Sequence, residues 1–271
     1  MNPARIAILI DGGYFLRRLP HLVAENRCNS PGKIVACMRH LCRNHIKTLT
    51  GDDGSRWHQH VYRIFYYDAV PYAGKAHHPI DNRPIDFNKS DLAKQRRELF
   101  DVLRKQRKVA LRLGKVTREH DWALNPALTK QLLRTRQCVA ALEGLGSAEA
   151  DNDINLQLTA EDARNLQTLR NLWASLDGGA VRLGLRQKGV DMRIGIDIAS
   201  LSLKRQVKTI ILVAGDSDFV PAAKMARREG MEFILDPLWQ QINPDLFEHI
   251  DGLQSGLKRP GRKSGTTNER E

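Results

Sequence analysis

Apolar residues run unbroken over Ile6–Ile10 and stop at Asp11, and a second unbroken run over Ile210–Ala214 stops at Gly215 and Asp216. Short, β-branched apolar runs closed by glycine predict strands buried on both faces. "HVYRIFYYDAV", closed by Pro71, predicts another strand, as do "VALRLGKV" and "MEFILDPL". Between them the period changes to that of a helix. Helices are expected from Tyr14, over Lys33–Leu49 where Ile34, Met38 and Leu41 recur, and from Ser90, a helix cap ahead of Leu92, Leu99 and Leu103. "VDMRIGIDIASLSLK" predicts a helix with Ile194, Ile198 and Leu201 on one face. "DFVPAAKMARRE" predicts one with Pro221 in its first turn and Gly230 at its end. "GKAHHPIDNRP" reads as a loop.

Residues from about 117 to 179 fit this rhythm poorly. Helix-like runs at Thr129–Leu142 and Ala160–Leu176 flank a loop, "GLGSAEADNDIN", so residues 118–180 are expected to form a helical insertion. Residues 251–271, ending in "LKRPGRKSGTTNERE", lack apolar periodicity and predict a basic disordered tail behind a domain of residues 1–250.

Strands alternating with helices imply an α/β fold with a central, mainly parallel sheet covered on both faces. Sites in such sheets form beyond the carboxyl ends of the strands. If the first strand and the one ending near Asp216 are neighbours, Asp11 and Asp216 meet at one rim. Asp218 and Asp191 also fall at strand-to-helix junctions. Taken singly, each aspartate reads equally well as a cap or turn residue. Four carboxylates packed together repel unless a cation separates them, and oxygen ligands favour Mg²⁺ or Mn²⁺. Asp197 lies six residues past Asp191, so a regular helix does not superpose the two, and it is assigned to the flank of the site.

Charge narrows the partner. The 271-residue chain carries a net charge of +12, which favours a polyanion. Between Lys94 and Arg118 only Glu98 and Asp101 interrupt the basic residues, and Arg97, Arg104 and Lys108 are expected on one helical stripe facing phosphates. Lys188 is a further candidate phosphate contact. Aromatics are sparse, with Tyr14, Tyr66, Tyr67 and Trp122 as candidate stacking residues. "CMRHLCRNH" places Cys37, His40, Cys42 and His45 close together, but helical spacing does not bring the four to one face, so two buried thiols are expected instead of zinc. The N-terminus lacks a signal-peptide pattern, no stretch is long enough to span a bilayer, and the four cysteines form no CxxC pair. A cytoplasmic protein with reduced thiols and no membrane contact is expected.

The segments "IAILIDGGYFL", "VYRIFYYDAV", "LRLGKV", "KGVDMRIGIDIASL" and "ILVAGDSDFVPAAKMARREGMEFIL" together resemble the NYN domain family, in its LabA/DUF88-like bacterial branch, within the PIN-like nuclease superfamily. The resemblance implies a three-layer α/β/α fold and an acidic pocket that binds Mg²⁺ or Mn²⁺ and cleaves RNA. By motif the pocket's aspartates are Asp11, Asp191, Asp216 and Asp218, with Asp197 as a later partner. Tyr14 and Ser217 are expected beside substrate. Tyr14 stands where the family often has asparagine. The expected function is a metal-dependent ribonuclease, an endonuclease; the alternative is a catalytically weak RNA-binding or regulatory scaffold. A haloacid-dehalogenase-like phosphatase wants an aspartate where Gly13 stands, and a Toprim site wants a glutamate where Asp11 stands. Residues 118–180 are an expected contact for a protein partner or a second copy.

Overall fold

A computed structural model describes residues 5–52, 56–136 and 158–259. They cluster into two compact units, one from the described residues of Met1–Ala73, Phe87–Thr117 and Gln187–Glu271, the other from those of Gly74–Asp86 and Arg118–Arg186.

The main sheet has the strands β1 (Ile6–Asp11), β2 (Val61–Val70), β5 (Val109–Leu124), β6 (Val181–Lys188), β7 (Thr209–Val213), β8 (Glu232–Asp236) and β9 (Gly252–Leu253), in the order β6-β5-β2-β1-β7-β8-β9; the larger unit holds β1, β2, β7, β8, β9 and the first part of β5. The pairs β5–β2, β2–β1, β1–β7, β7–β8 and β8–β9 are parallel. Because side chains alternate along a strand, β1 feeds two cores. Ile6, Ile8 and Ile10 pack with Phe15 and Leu19 of the first helical stretch, with Met38 and Leu41 of α2 (Pro31–Thr50), and with Leu99 and Leu103 of α3 (Asp91–Arg104). Ala7 and Leu9 face the opposite layer, with Ile194, Ile198 and Leu201 of α6 (Val190–Leu203) and Ala223 and Ala226 of α7 (Val220–Arg228). The result is the three-layer α/β/α arrangement expected. Ser90 caps α3 by accepting the Ala93 N–H at 3.2 Å.

The helix α1 (Gly12–Arg18) begins at the last residue of β1 with no loop between. Gly12 permits this. A Cβ there would lie 2.5 Å from the Tyr66 ring and 2.5 Å from the Tyr67 carbonyl oxygen. The carbonyl belongs to the sheet and cannot swing aside, so Gly12→Ala is expected to cost about 2–3 kcal/mol by overpacking. A denaturant midpoint within error of wild type would refute this.

The structure corrects several boundaries. β5 continues to Leu124, eight residues beyond the expected "VALRLGKV", because its outer half is exposed and carries no apolar signal. The second unit holds α4 (Pro126–Arg134), capped by Asn125, and α5 (Ala160–Ala174), opened by a Thr159–Asp162 capping box. The expected loop "GLGSAEADNDIN" lies outside the described residues. The supposed loop at 74–84 contains an antiparallel pair, β3 (Lys75–His77) with β4 (Pro84–Asp86). His78 in its turn is buried, with its ring on Trp122 and its Nε2 3.1 Å from the Gly178 carbonyl oxygen, so it is not a surface histidine. Residues 251–259 are not a disordered tail: β9 extends the sheet, and Leu257 is buried in the core. Residues 260–271 lie outside the described set. Among the described residues no helix is long and apolar enough to cross a membrane.

Candidate active site

In this strand order the chain runs outward from β1 to one side through β2 and β5, then returns to its other side with β7 and β8. The carboxyl ends of β1 and β7 therefore flank the point where the winding reverses, the place where open α/β sheets form their sites. Ile10 pairs with Val213 there. Asp11 ends β1, and Asp216 follows β7 by three residues, so the predicted meeting of these two segments at one rim is what the topology supplies.

Each carboxylate is fixed differently. Asp11 is half-buried, and its Oδ1 accepts the Tyr14 N–H at 3.0 Å, capping α1. Asp216 is exposed and accepts the Asp218 N–H at 3.1 Å, which starts a short 3-10 turn, Ser217–Phe219. The capping role expected of Asp218 thus falls on Asp216, leaving the exposed Asp218 carboxylate outside the cap. Asp191 stands in the first turn of α6, where Gly189 occupies the cap position and no side chain caps the helix. A capping explanation for Asp191 therefore fails.

The carboxylates act on one another. Burial raises the Asp11 carboxyl above the ordinary aspartate range, and Asp191 and Asp68 add to the rise while the Tyr14 N–H and Arg17 oppose it. Burial also raises Asp191, with Asp216 and Asp218 pushing it further. Repulsion thus runs from Asp11 through Asp191 to the Asp216–Asp218 pair. Among the described residues no three His, Cys, Asp or Glu side chains form a ready-made metal cage. Mg²⁺ does not demand one, since it keeps several waters and commonly takes one or two carboxylates. Hard oxygen donors that repel one another suit such an ion, and Asp11, Asp191, Asp216 and Asp218 could hold it.

Beside Asp11 and Asp216 opens a cavity of about 470 Å³, lined also by Tyr14, Arg17, Arg18, His21, Gly215, Ser217, Gln240 and Asn243. Tyr14 builds its wall. The side chain is buried, its hydroxyl donates to the Pro237 carbonyl at 2.5 Å, and burial pushes its pKa up to about 12. Its ring lies over Gly215, where a Cβ would stand 2.6 Å away. The departure from asparagine at this position therefore clamps α1 to the segment after β8; the hydroxyl is committed to protein. Tyr14→Phe removes one of two donors to the Pro237 oxygen, which still accepts the Gln240 N–H at 2.9 Å, and is expected to cost about 0.5–1.5 kcal/mol. An unchanged urea midpoint would contradict that role.

Other expected site residues lie elsewhere. Asp197 accepts the Tyr67 hydroxyl at 2.8 Å and the Arg112 Nε at 3.1 Å, nearly two turns along α6, so its carboxylate is already paired away from the rim. Lys188 ends β6, and its carbonyl packs against Gly114. The basic stripe does not form. The helix ends at Arg104, Lys108 sits beyond it at φ +63°, and its ammonium donates to the His58 carbonyl at 2.7 Å and to the Val61 carbonyl. Val61 begins β2, so Lys108 stands at the end of the sheet opposite the carboxylates. Arg104 pairs with Asp101 at 2.6 Å, and Arg97 is taken up by Asn88. Tyr66 and Tyr67 are fully buried and offer no stacking face.

The sequence reading passed over other groups. Asp68, near the end of β2, is buried and ion-paired with Arg96. Gln187 reaches toward Gly13, with its Oε1 3.6 Å from where a Cβ would be. Arg17, Arg18 and His21 line the cavity from the helical stretch after Asp11, and their sequence signal is a cluster of three basic residues within five positions.

The NYN domain family matches residues 140–247, a stretch that contains Asp191, Asp216 and Asp218 and leaves Asp11 outside it. The match takes in two of the segments that carry the resemblance, "KGVDMRIGIDIASL" and "ILVAGDSDFVPAAKMARREGMEFIL". No curated protein matches the sequence. Among solved structures, the crystal structure of a protein of unknown function from Vibrio parahaemolyticus RIMD 2210633 is similar, with 13% identity and a TM-score of 0.41, covering 93% of this chain and 92% of that one.

Proposed function

We propose, from an NYN match that carries three of the four rim aspartates, that this protein is a divalent-metal-dependent ribonuclease acting in the cytoplasm, an endonuclease. The observation that carries the reading is the convergence of Asp11 and Asp216 from adjacent parallel strands, joined electrostatically by Asp191. A bound Mg²⁺ or Mn²⁺ would supply activation of water and neutralisation of phosphate charge. The chain's own part is to hold that charge in place. The Tyr14 N–H fixes the Asp11 carboxylate, and the Asp218 N–H fixes that of Asp216, so neither needs to reorganise as charge develops on the phosphate. Asp191 and Asp218 complete the negative field, and Ser217 lines the cavity beside Asp216. The net charge of +12 favours a polyanionic substrate.

The test is cleavage of end-labelled RNA by the full chain in Mg²⁺ or Mn²⁺. Products with 5′-phosphate ends that vanish on adding EDTA support the reading. Salt-sensitive RNA binding without metal-dependent cleavage would replace it with the scaffold alternative.

A further inference from the structure

The cavity beside the carboxylates has a chemical division of its own. One wall is cationic. Arg17 and Arg18 end α1, and His21 follows in the next short turn. Arg18 is partly spent on structure, since its Nη2 donates to the Leu238 carbonyl at 3.0 Å, but its Nε is buried without a hydrogen-bond partner. Arg17 is exposed, and its Nε makes only a long contact of 3.3 Å with the Gly13 carbonyl. A second wall is neutral, with exposed amides from Gln240 and Asn243; the Asn243 Oδ1 also accepts the Asp245 N–H at 2.9 Å.

That second wall is held in place at some conformational cost. Leu238 and Trp239, immediately before Gln240, both have left-handed backbones, at φ +48° and +64°. Neither residue type favours this region, and such strain persists only where surroundings impose it. Here they do: Asp236 accepts the Leu238 N–H, Arg18 donates to the Leu238 carbonyl, Tyr14 donates to that of Pro237, and the Trp239 Nε1 donates to the Leu257 carbonyl. The loop is therefore fixed against α1 by Tyr14 and Arg18.

We propose that this cavity is a nucleotide subsite, taking one unpaired nucleotide next to the cleaved bond, with its phosphate on Arg17, Arg18 and His21 and its base edge on Gln240 and Asn243. The inference rests on the nuclease reading for its placement beside the scissile phosphate. The cavity volume of about 470 Å³ is far larger than a bare phosphate needs and falls within the ordinary range for small-ligand sites. Guanidinium groups recognise phosphate oxygens in a planar fork. Amide side chains present a donor and an acceptor together, the pairing that reads base edges. In an RNA duplex the Watson–Crick edge is paired and the deep, narrow major groove keeps side chains from the other edge, so the subsite selects single strands.

The experiment is equilibrium binding of nucleoside 5′-monophosphates and of inorganic phosphate to the full chain in Mg²⁺, with RNA cleavage measured in parallel. The monophosphates are expected to bind at least ten-fold more tightly than inorganic phosphate. Arg17→Gln should weaken them about ten-fold and raise KM for RNA more than it lowers kcat. Gln240→Ala should weaken the monophosphates and leave inorganic phosphate unchanged. His21→Gln serves as a second cationic-wall variant, and denaturant midpoints confirm that each variant folds. Equal binding of phosphate and monophosphates, no saturation by about 10 mM, or wild-type affinity in both Arg17→Gln and His21→Gln overturns the subsite. If monophosphates bind and Arg17→Gln abolishes binding while the wild type cleaves no RNA, the nuclease reading fails and the subsite stands. If RNA is cleaved and neither Arg17→Gln nor His21→Gln changes binding, the reverse holds.

Discussion

Asp191→Asn is expected to lower metal-dependent cleavage by about 100-fold or more and, in EDTA, to raise the denaturation midpoint of the protein. The two effects share one cause. Asp191 lies in the middle of the repulsion, pressed by Asp216 and Asp218 and itself pressing on Asp11. Asparagine removes that negative charge while keeping nearly the same shape, and it breaks no helix cap, because Gly189 holds the cap position. In the metal-free chain the result is relief. With metal, the same change removes a ligand and weakens the field that fixes the ion. Saturating Mg²⁺ should therefore stabilise wild type, by about 2.7 kcal/mol at 100 times its dissociation constant, and stabilise Asp191→Asn much less. Urea titrations in EDTA and in Mg²⁺, run beside the cleavage assay, measure all three quantities. Wild-type cleavage by the variant, or equal Mg²⁺ protection of both proteins, would remove Asp191 from the site.

Asp236→Ala should be the most destabilising substitution in the domain, at about 3–5 kcal/mol. Asp236 ends β8 and is fully buried, as is His45 of α2. Its carboxylate accepts four hydrogen bonds: from His45 Nε2 at 2.8 Å, the Leu238 N–H at 2.8 Å, the Ser255 hydroxyl at 2.9 Å and the Gly256 N–H at 2.9 Å. Alanine leaves all four donors facing an apolar void that neither His45 nor the loops can escape. Stability of a natural domain totals only about 5–15 kcal/mol, so this loss brings the protein near its unfolding threshold. Asp236→Asn keeps the size and part of the acceptor capacity and should cost less, about 1–3 kcal/mol. Guanidinium denaturation of both variants gives the comparison. A cost under about 1 kcal/mol for alanine would show that water or repacking satisfies the donors.

Asp236 also marks the limit of what the sequence discloses. Asp11, Asp68, Asp216 and Asp236 all stand at or near the ends of parallel strands, and locally they read alike. Two face an open rim, one is neutralised by Arg96, and one is enclosed by donors from residues 45, 238, 255 and 256. Only the fold brings those donors together. The strands that are apolar on both faces, β1, β7 and β8, were legible because burial on two sides leaves no polar positions. The outer half of β5 was not, because its exposure removes that signal. β9 is two residues long and too short to show a period. The cationic wall at Arg17 and His21 gained meaning only when the loop after β8, more than two hundred residues later, closed the cavity across from it.

The pairing of β1 with β7 also bears on the order in which the protein is made. Ile6–Ile10 leave the ribosome well before their partners at 209–213, which follow roughly 200 residues later. At about 5–20 residues per second, that is a wait of ~10–40 s. Until then one edge of β1 has no partner, and Asp11 lacks Asp216 beside it. A chain stalled before β7 thus exposes an aggregation-prone strand edge at the same rim where the proposed site is still incomplete. Once Asp236 is made, β7 and β8 are both available to cover that edge.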